Sequence, residues 1–416
     1  MDMLARYFQA SLVKRIMWAF VLGCIIGGIA HAAGWGFPEK LAVLGDIFVA
    51  GLKAVVIPVI FFSLLSGATT IETDKFGSVG KRVVMSYGLT ILVAALVGTI
   101  MALSFNVGSG FALEGISSSV TGAQNLGADS ISGTLYNTFI GALANPFSAL
   151  SSSNFLGVIV AALVIGIALK VNEESHPGSP LVKIIGHVND TMLTIVGWVM
   201  HFAPIGIFGI VVSSIGVYGA TLAGTFASIL GALVAAMVFV ALIVYPLTHY
   251  LLARQNPYAV MWRIFKTAGV TAFFTRSSAA TLPVSIATMD DMGVDQSVSR
   301  FALPIGATMN MTGAAITVAV FTIFAANVFE VHLGLMELMI VIFSAAIVSV
   351  GAGGVPSGSL MLLFVSLNAL GLSADQSGLV VGLAFTLTAI QDSFETCLNV
   401  FGDNVITHGV DQSLKS

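Results

Sequence analysis

From residue 191 to residue 253 the chain carries no Asp, Glu, Lys or Arg. No soluble domain presents such a run, because its surface must be charged and about a quarter of its residues are. A helix that crosses a bilayer uses roughly 20 apolar residues, so this one run holds two crossings. Further uncharged runs cover 16–38, 54–71, 83–113, 130–169 and 301–329, and charged residues make up 9% of the whole. The chain therefore reads as an all-α polytopic membrane protein.

The basic residues orient it. Arg6, Lys14 and Arg15 precede the first segment (12–33). Lys75, Lys81 and Arg82 lie between the second (41–70) and third (82–106), Lys170 and Lys183 between the fourth and fifth, and Arg254, Arg263 and Lys266 follow the sixth. The alternate connections carry only Lys40 at 33–41, and no Lys or Arg at 103–130 or 216–222. The positive-inside rule places both termini in the cytoplasm, which eight transmembrane helices satisfy. The N-terminus lacks a small-residue cleavage site, so no removed signal peptide is expected. Segment 4 (131–170) is too long for one crossing and breaks at Asn145–Pro146, after a Gly/Ser-rich outward loop over 107–133. Cys24 and Cys397, both in apolar segments, and seven scattered histidines give no disulfide framework and no zinc motif.

Within the last apolar segment, 376–408, lies QDSFETCLNVFGD (Gln391 to Asp403). At about 100° per residue, Asp392, Glu395, Thr396, Asn399 and Asp403 share an arc of roughly 100° on one helix face. A charge at mid-bilayer costs about 2.5–3.5 kcal/mol even on the lenient insertion scale, so the stripe calls for compensating cations.

Two other regions cannot be plain crossings. Residues 338–374 are uncharged, yet their centre reads SVGAGGVPSGS (Ser349 to Ser359), which no helix continues through. Residues 258–294 repeat the design around TRSSAATLP (Thr275 to Pro283). Each reads as a re-entrant hairpin, because irregular backbone at membrane depth is tolerated only where it lines a cavity or is buried in protein. Tip amides suit a carboxylate and tip carbonyls a monovalent cation, with Ser277, Ser278, Ser357 and Ser359 adding hydroxyls. Each hairpin precedes a polar segment, and such a pairing marks the interface of inverted repeats. In segment 7, Thr308, Asn310 and Thr312 converge only if the helix unwinds near Asn310.

These four motifs, TRSSAATLP, GATMNMTG, GAGGVPSGS and D-x-x-E-T-x-x-N-x-x-x-D, resemble those of the dicarboxylate/amino acid:cation symporter (glutamate transporter) family. GLKAVVIPVIFFSLLSGA is similar to that family's second helix, so the resemblance covers nearly the whole chain. Within the family it most resembles the bacterial sodium/serine-threonine symporters. The resemblance implies a scaffold-rich half, 1–257, a transport core, 258–408, and a cytoplasmic tail, 409–416, with segments 3 and 6 moving with the core. It implies a homotrimer in the bacterial inner membrane, sodium as coupling ion, no other cofactor and no nucleic-acid partner. Substrate-lining positions are then Arg276, Ser277, Ser278, Val355, Pro356, Ser357, Gly358, Ser359, Asp392, Glu395, Thr396 and Asn399, with Asp392 taking the substrate ammonium. Gly306, Asn310, Asn399 and Asp403 match one sodium site; Thr308 with Ser349, Val350 and Ala352 matches a second.

Three departures set the expected specificity. Glu395 stands where acidic-substrate members carry an arginine, and Thr312 and Ala314 replace an Asp and a Thr. Tyr87 and Thr90 match third-sodium ligands but Ile91 does not. The Glu395 carboxylate is expected to meet the substrate side chain or Arg276. If Arg276 pairs with an acid, two negative charges remain for a sodium and an ammonium, which suits small neutral amino acids, serine and threonine first. The alternative is coupled uptake of another amino acid or dicarboxylate, driven by sodium or protons. A pure ion channel is a lesser alternative, and so is an intramembrane hydrolase using Ser277 or Ser357. The hydrolase lacks GxSxG and any His within the hairpins, and Arg276 cannot serve as its base.

Overall fold

The computed structural model describes residues 12–69, 78–111, 143, 145–151, 155–176, 180–352 and 357–415. Of the expected features, most of the 107–133 loop, the start of segment 4 and Val355 and Pro356 at the second tip lie outside them.

The described chain is all-helical, without strands. Helices α1 (Leu12–Ala32), α2 (Ala42–Thr69), α3 (Ser78–Ser104), α4 (Phe155–Ser175) and α5 (Leu181–Tyr218) follow the expected segments, with a separate short helix, Pro146–Ser151, at the expected break. Helix α6 (Ala220–Phe239) runs through a π turn, Val240–Val244, into α7 (Tyr245–Ala253). Among the described residues five helices are long and apolar enough to cross a membrane, six if the bent last helix is included.

The 258–294 region is a helix pair. Helix α8 (Tyr258–Ile264) passes through a second π turn, Phe265–Gly269, into α9 (Val270–Thr275), and α10 (Ser278–Asp291) folds back against it. Arg276 ends α9 in the left-handed region at φ 54°, and Ser277 caps α10 by accepting from the Ala280 amide at 3.2 Å. The second pair, α13 (Leu335–Gly351) and α14 (Gly358–Ala369), is alike, with Ser357 left-handed at φ 61° before α14. A non-glycine residue in that region carries strain that the surroundings must hold in place, a pattern that clusters at ligand sites.

Segment 7 unwinds where expected. Helix α11 (Gln296–Met309) ends at Asn310 and α12 (Thr312–Val328) begins after Met311, both intervening residues being non-helical at φ −90° and −99°. Apolar around its whole circumference, α12 is buried almost throughout, as such a helix must be. It packs on α3, α13, α14 and the last helix, α15 (Ala374–Lys415), while α5 packs along α1 and α2. Helix α15 is longer than expected and bends by 79° between Thr388 and Ile390. No Pro or Gly stands there. At the bend the Arg276 guanidinium donates to the Thr388 carbonyl at 3.1 Å.

Candidate functional site

The acidic stripe of α15 is buried, with Asp392, Glu395, Thr396, Asn399 and Asp403 each 5% exposed or less. Its three carboxylates are compensated in three different ways, and the difference defines what each can do.

Asp392 has a full countercharge. Arg276 at the first tip reaches its Oδ2 with Nε at 2.9 Å and a terminal nitrogen at 2.6 Å, while the Ser357 amide of the second tip donates to Oδ1 at 3.3 Å. The Ser357 and Thr388 hydroxyls are also in contact, at 2.8 Å. One carboxylate thus joins both tips to α15. Charge-assisted bonds of this kind are about twice as strong as neutral ones.

Glu395 has none. Its Oε2 accepts from Thr317 on α12 at 2.7 Å, from Ser359 on α14 at 2.8 Å, and from Gln391 one turn earlier. The expected alternative of a Glu395–Arg276 pair is therefore corrected, because both guanidinium contacts with acid go to Asp392 and Glu395 turns towards α12 and α14. Thr317 and Gln391 were not foreseen. All three donors converge on Oε2, and Oε1 has no hydrogen-bond partner among the described residues.

Asp403 is the least compensated. Among the described residues its only side-chain donor is the neutral Asn310 amide, 2.8 Å from Oδ1, and the buried Oδ1 of Asn310 itself has no partner. Gly306 lies directly against the carboxylate: a Cβ there would come within 2.6 Å of Asp403 Oδ1 and 2.8 Å of the Tyr87 hydroxyl, which donates to the Ala302 carbonyl. Asp403 and the orphaned amide oxygen of Asn310 thus form a buried pair of hard oxygen donors, the donor type that suits a monovalent cation.

Asn399 fastens the break in segment 7 to the stripe. Its Oδ1 accepts from the Gly313 amide at 2.7 Å and its Nδ2 lies 3.3 Å from the Met311 sulfur. Gly313 sits so close that an added Cβ would meet the Glu395 carbonyl at 2.6 Å and its Cα at 2.9 Å. Backbone cannot swing aside as a side-chain tip can. Gly313→Ala should destabilise by about 1–3 kcal/mol, read as a lower melting temperature of the purified protein in detergent. A wild-type melting temperature would refute that close approach.

The unwinding does not gather all three polar residues of segment 7. Asn310 turns to Asp403, but Thr312 bonds the Tyr245 hydroxyl on α7, and exposed Thr308 donates to the Pro304 and Ile305 carbonyls of its own helix. The second sodium group expected from the resemblance is linked by no hydrogen bond to Thr308. Ser349 is buried and its hydroxyl donates to the Ala346 carbonyl, while its own carbonyl accepts from Ala352. Those residues share a neighbourhood only in that α11 and α13 pack together, with Val350 half-buried beside them. Of the remaining positions, Ser278, Gly358 and Ser359 are buried and Ser277 serves as a helix cap.

A second buried polar pair was not anticipated. His249 on α7 and His408 on α15 stack at 5.2 Å between ring centroids, with His249 Nε2 3.0 Å from His408 Nδ1. They lie outside the stripe, nearer the end where Lys415 bonds Asp411 at 2.6 Å and Asp411 accepts from the Asp295 amide.

The site unites a guanidinium-bound carboxylate between two helix-pair tips, an acid ringed by neutral donors and an acid with a single neutral donor among the described residues. The sequence pattern of the sodium:dicarboxylate symporter family matches residues 12–413, nearly the whole chain, and the protein belongs to that family.

Proposed function

We propose that the chain is a sodium-coupled symporter of small neutral amino acids, serine and threonine foremost, working by alternating access. The observation that carries the reading is the charge pattern of α15. The one guanidinium at the site is taken by Asp392, so no free cation there awaits a substrate side-chain carboxylate. Asp403 with the unpartnered Asn310 Oδ1 supports a sodium site. Unbonded Oε1 of Glu395 supports a hydroxyl-bearing substrate, which would donate to it. The substrate ammonium would compete with Arg276 for Asp392, and the substrate carboxylate would fall to the tip amides. Helices α1, α2, α4 and α5 form the scaffold in this reading. The tips, α11, α12, α14 and α15 move with α3 and α6, in an eight-crossing chain whose termini are cytoplasmic and which assembles as a trimer.

Uptake of labelled serine, threonine, alanine and aspartate into proteoliposomes, with and without a sodium gradient, tests this. Serine and threonine uptake driven by inward sodium is expected; aspartate carried as well as serine, or no dependence on sodium, would overturn it. Fewer than three sodium ions per substrate are expected, since Thr312 is engaged by Tyr245 and Ile91 has no side-chain oxygen to offer. A reversal-potential measurement that returns three rejects that number.

A further inference from the structure

The back of the site helix borders a cavity that lies outside the acidic stripe. Its volume is about 380 Å³, and its walls come from three elements: α6 with its π turn, α8 with its own, and the face of α15 opposite the acidic stripe. Met237 and Leu242 line one side, Trp262 and Phe265 the second, and Phe394 and Cys397 the third. Two π turns thus flank one cavity, Ala241 and Leu242 lying in the first and Phe265 in the second. A π turn adds a residue to a helical turn and opens space on its surface, and such turns recur at functional sites. Neither Val240–Val244 nor Phe265–Gly269 enters the site described above.

The cavity walls are apolar, but its mouth is not. Exposed Tyr258 and Trp262 stand at the start of the α8 arm, and both are 59% exposed. Lys266 reaches back one turn so that its Nζ lies 5.5 Å from the Trp262 ring centroid. Of the other cations on this arm, Arg263 donates to the Asp291 carbonyl at 3.1 Å, which leaves Lys266 as the cation set over the cavity's own aromatic rim. A lysine that snorkels to an aromatic rim beside an apolar cleft presents one positive charge to an interfacial anion and a dry slot to hydrocarbon.

The geometry points to a binding site for an anionic phospholipid, with one acyl chain in the cavity and the headgroup phosphate at Lys266. Free phosphate lacks anything to fill the slot, and a neutral lipid leaves the lysine unmatched. The occupied cavity would brace Phe394, Cys397 and Phe401 from behind, so the lipid becomes part of the wall that supports the acidic stripe. The inference rests on no claim about substrate.

The test uses the purified full chain and two probes that carry a diazirine on the acyl chain, phosphatidylglycerol and phosphatidylcholine. Crosslinked peptides are mapped by mass spectrometry. The phosphatidylglycerol probe should label residues of α6, α8 and α15 that line the cavity, about fivefold more than the phosphatidylcholine probe, as one interfacial lysine would give. Lys266→Gln should bring the two probes level, and Ala241→Trp, which fills the slot, should abolish labelling there by both. Equal labelling of wild type by the two probes, or labelling that survives Ala241→Trp in a monodisperse sample, overturns the site. Should Ala241→Trp fail to fold, Lys266→Gln decides the matter alone, because that exposed side chain has no part in the core.

Discussion

Asp403→Asn should remain folded and need far more sodium to drive uptake. The carboxylate is buried at 2% exposure against Gly306, with one neutral donor from Asn310 and an orphaned amide oxygen beside it. Replacing it by an amide keeps the shape and removes the only full charge of the cluster, so a cation would be left with dipoles alone. Hydrogen bonds and contacts to a charged group are worth about 1.5–3 kcal/mol, which at about 1.4 kcal/mol per tenfold corresponds to roughly a tenfold to hundredfold higher sodium requirement. The measurement is serine uptake into proteoliposomes against sodium concentration, with size-exclusion as a folding check. An unchanged sodium curve would remove Asp403 from the coupling site.

Selectivity should change most at Glu395. Its carboxylate has no countercharge, so a substrate bearing a second carboxylate meets like-charge repulsion in a partly desolvated site. Exclusion by about a hundredfold or more is expected, some 2.8 kcal/mol at the tenfold constant. Glu395→Arg should weaken serine and admit aspartate. Because Thr317, Ser359 and Gln391 all donate to this carboxylate, a guanidinium there leaves three buried donors unmatched and could unfold the protein. Glu395→Gln guards against that outcome. Its amide oxygen still accepts, its charge is gone, and aspartate should compete with serine uptake at least tenfold better than in wild type. A folded Glu395→Gln that excludes aspartate as strongly as wild type assigns selectivity elsewhere.

The parts of this architecture legible in the sequence are those written in local chemistry. Uncharged length marked the long helices. Helix-breaking residues marked the ends of both arms around 349–359, whereas the first tip, expected over Thr275–Pro283, is only Arg276–Ser277, since Pro283 lies inside α10. The period of α15 marked five residues that the fold does bury on one side. What remained hidden depends on partners from distant segments. Nothing near Asp392 in the chain says that Arg276, 116 residues earlier, takes it, nor that Thr317, 78 residues before Glu395, donates to that acid. The bend in α15 had no Pro or Gly to announce it, and the side chain that meets it, Arg276, comes from another helix pair. The π turns are equally silent: VALIV is as good an α-helix as any apolar run until its packing against α3 and α15 is known. Thr308 shows the converse error of reading spacing alone, for a threonine in a helix readily satisfies itself on its own carbonyls.

The joint at Asp392 bears on the half of the cycle in which nothing is carried. A carrier that accumulates its solute must return empty, and a bare carboxylate dragged through the bilayer midplane would make that return the slow step. With Arg276 folded onto Asp392 and the Ser357 amide donating to the same carboxylate, the chain supplies from within the positive charge that, in the proposed reading, a substrate ammonium would bring. In that reading the guanidinium is a tethered understudy for the ammonium group. Its affinity for Asp392 would then set a floor that any solute must exceed to be picked up, and would set how readily an unladen carrier resets.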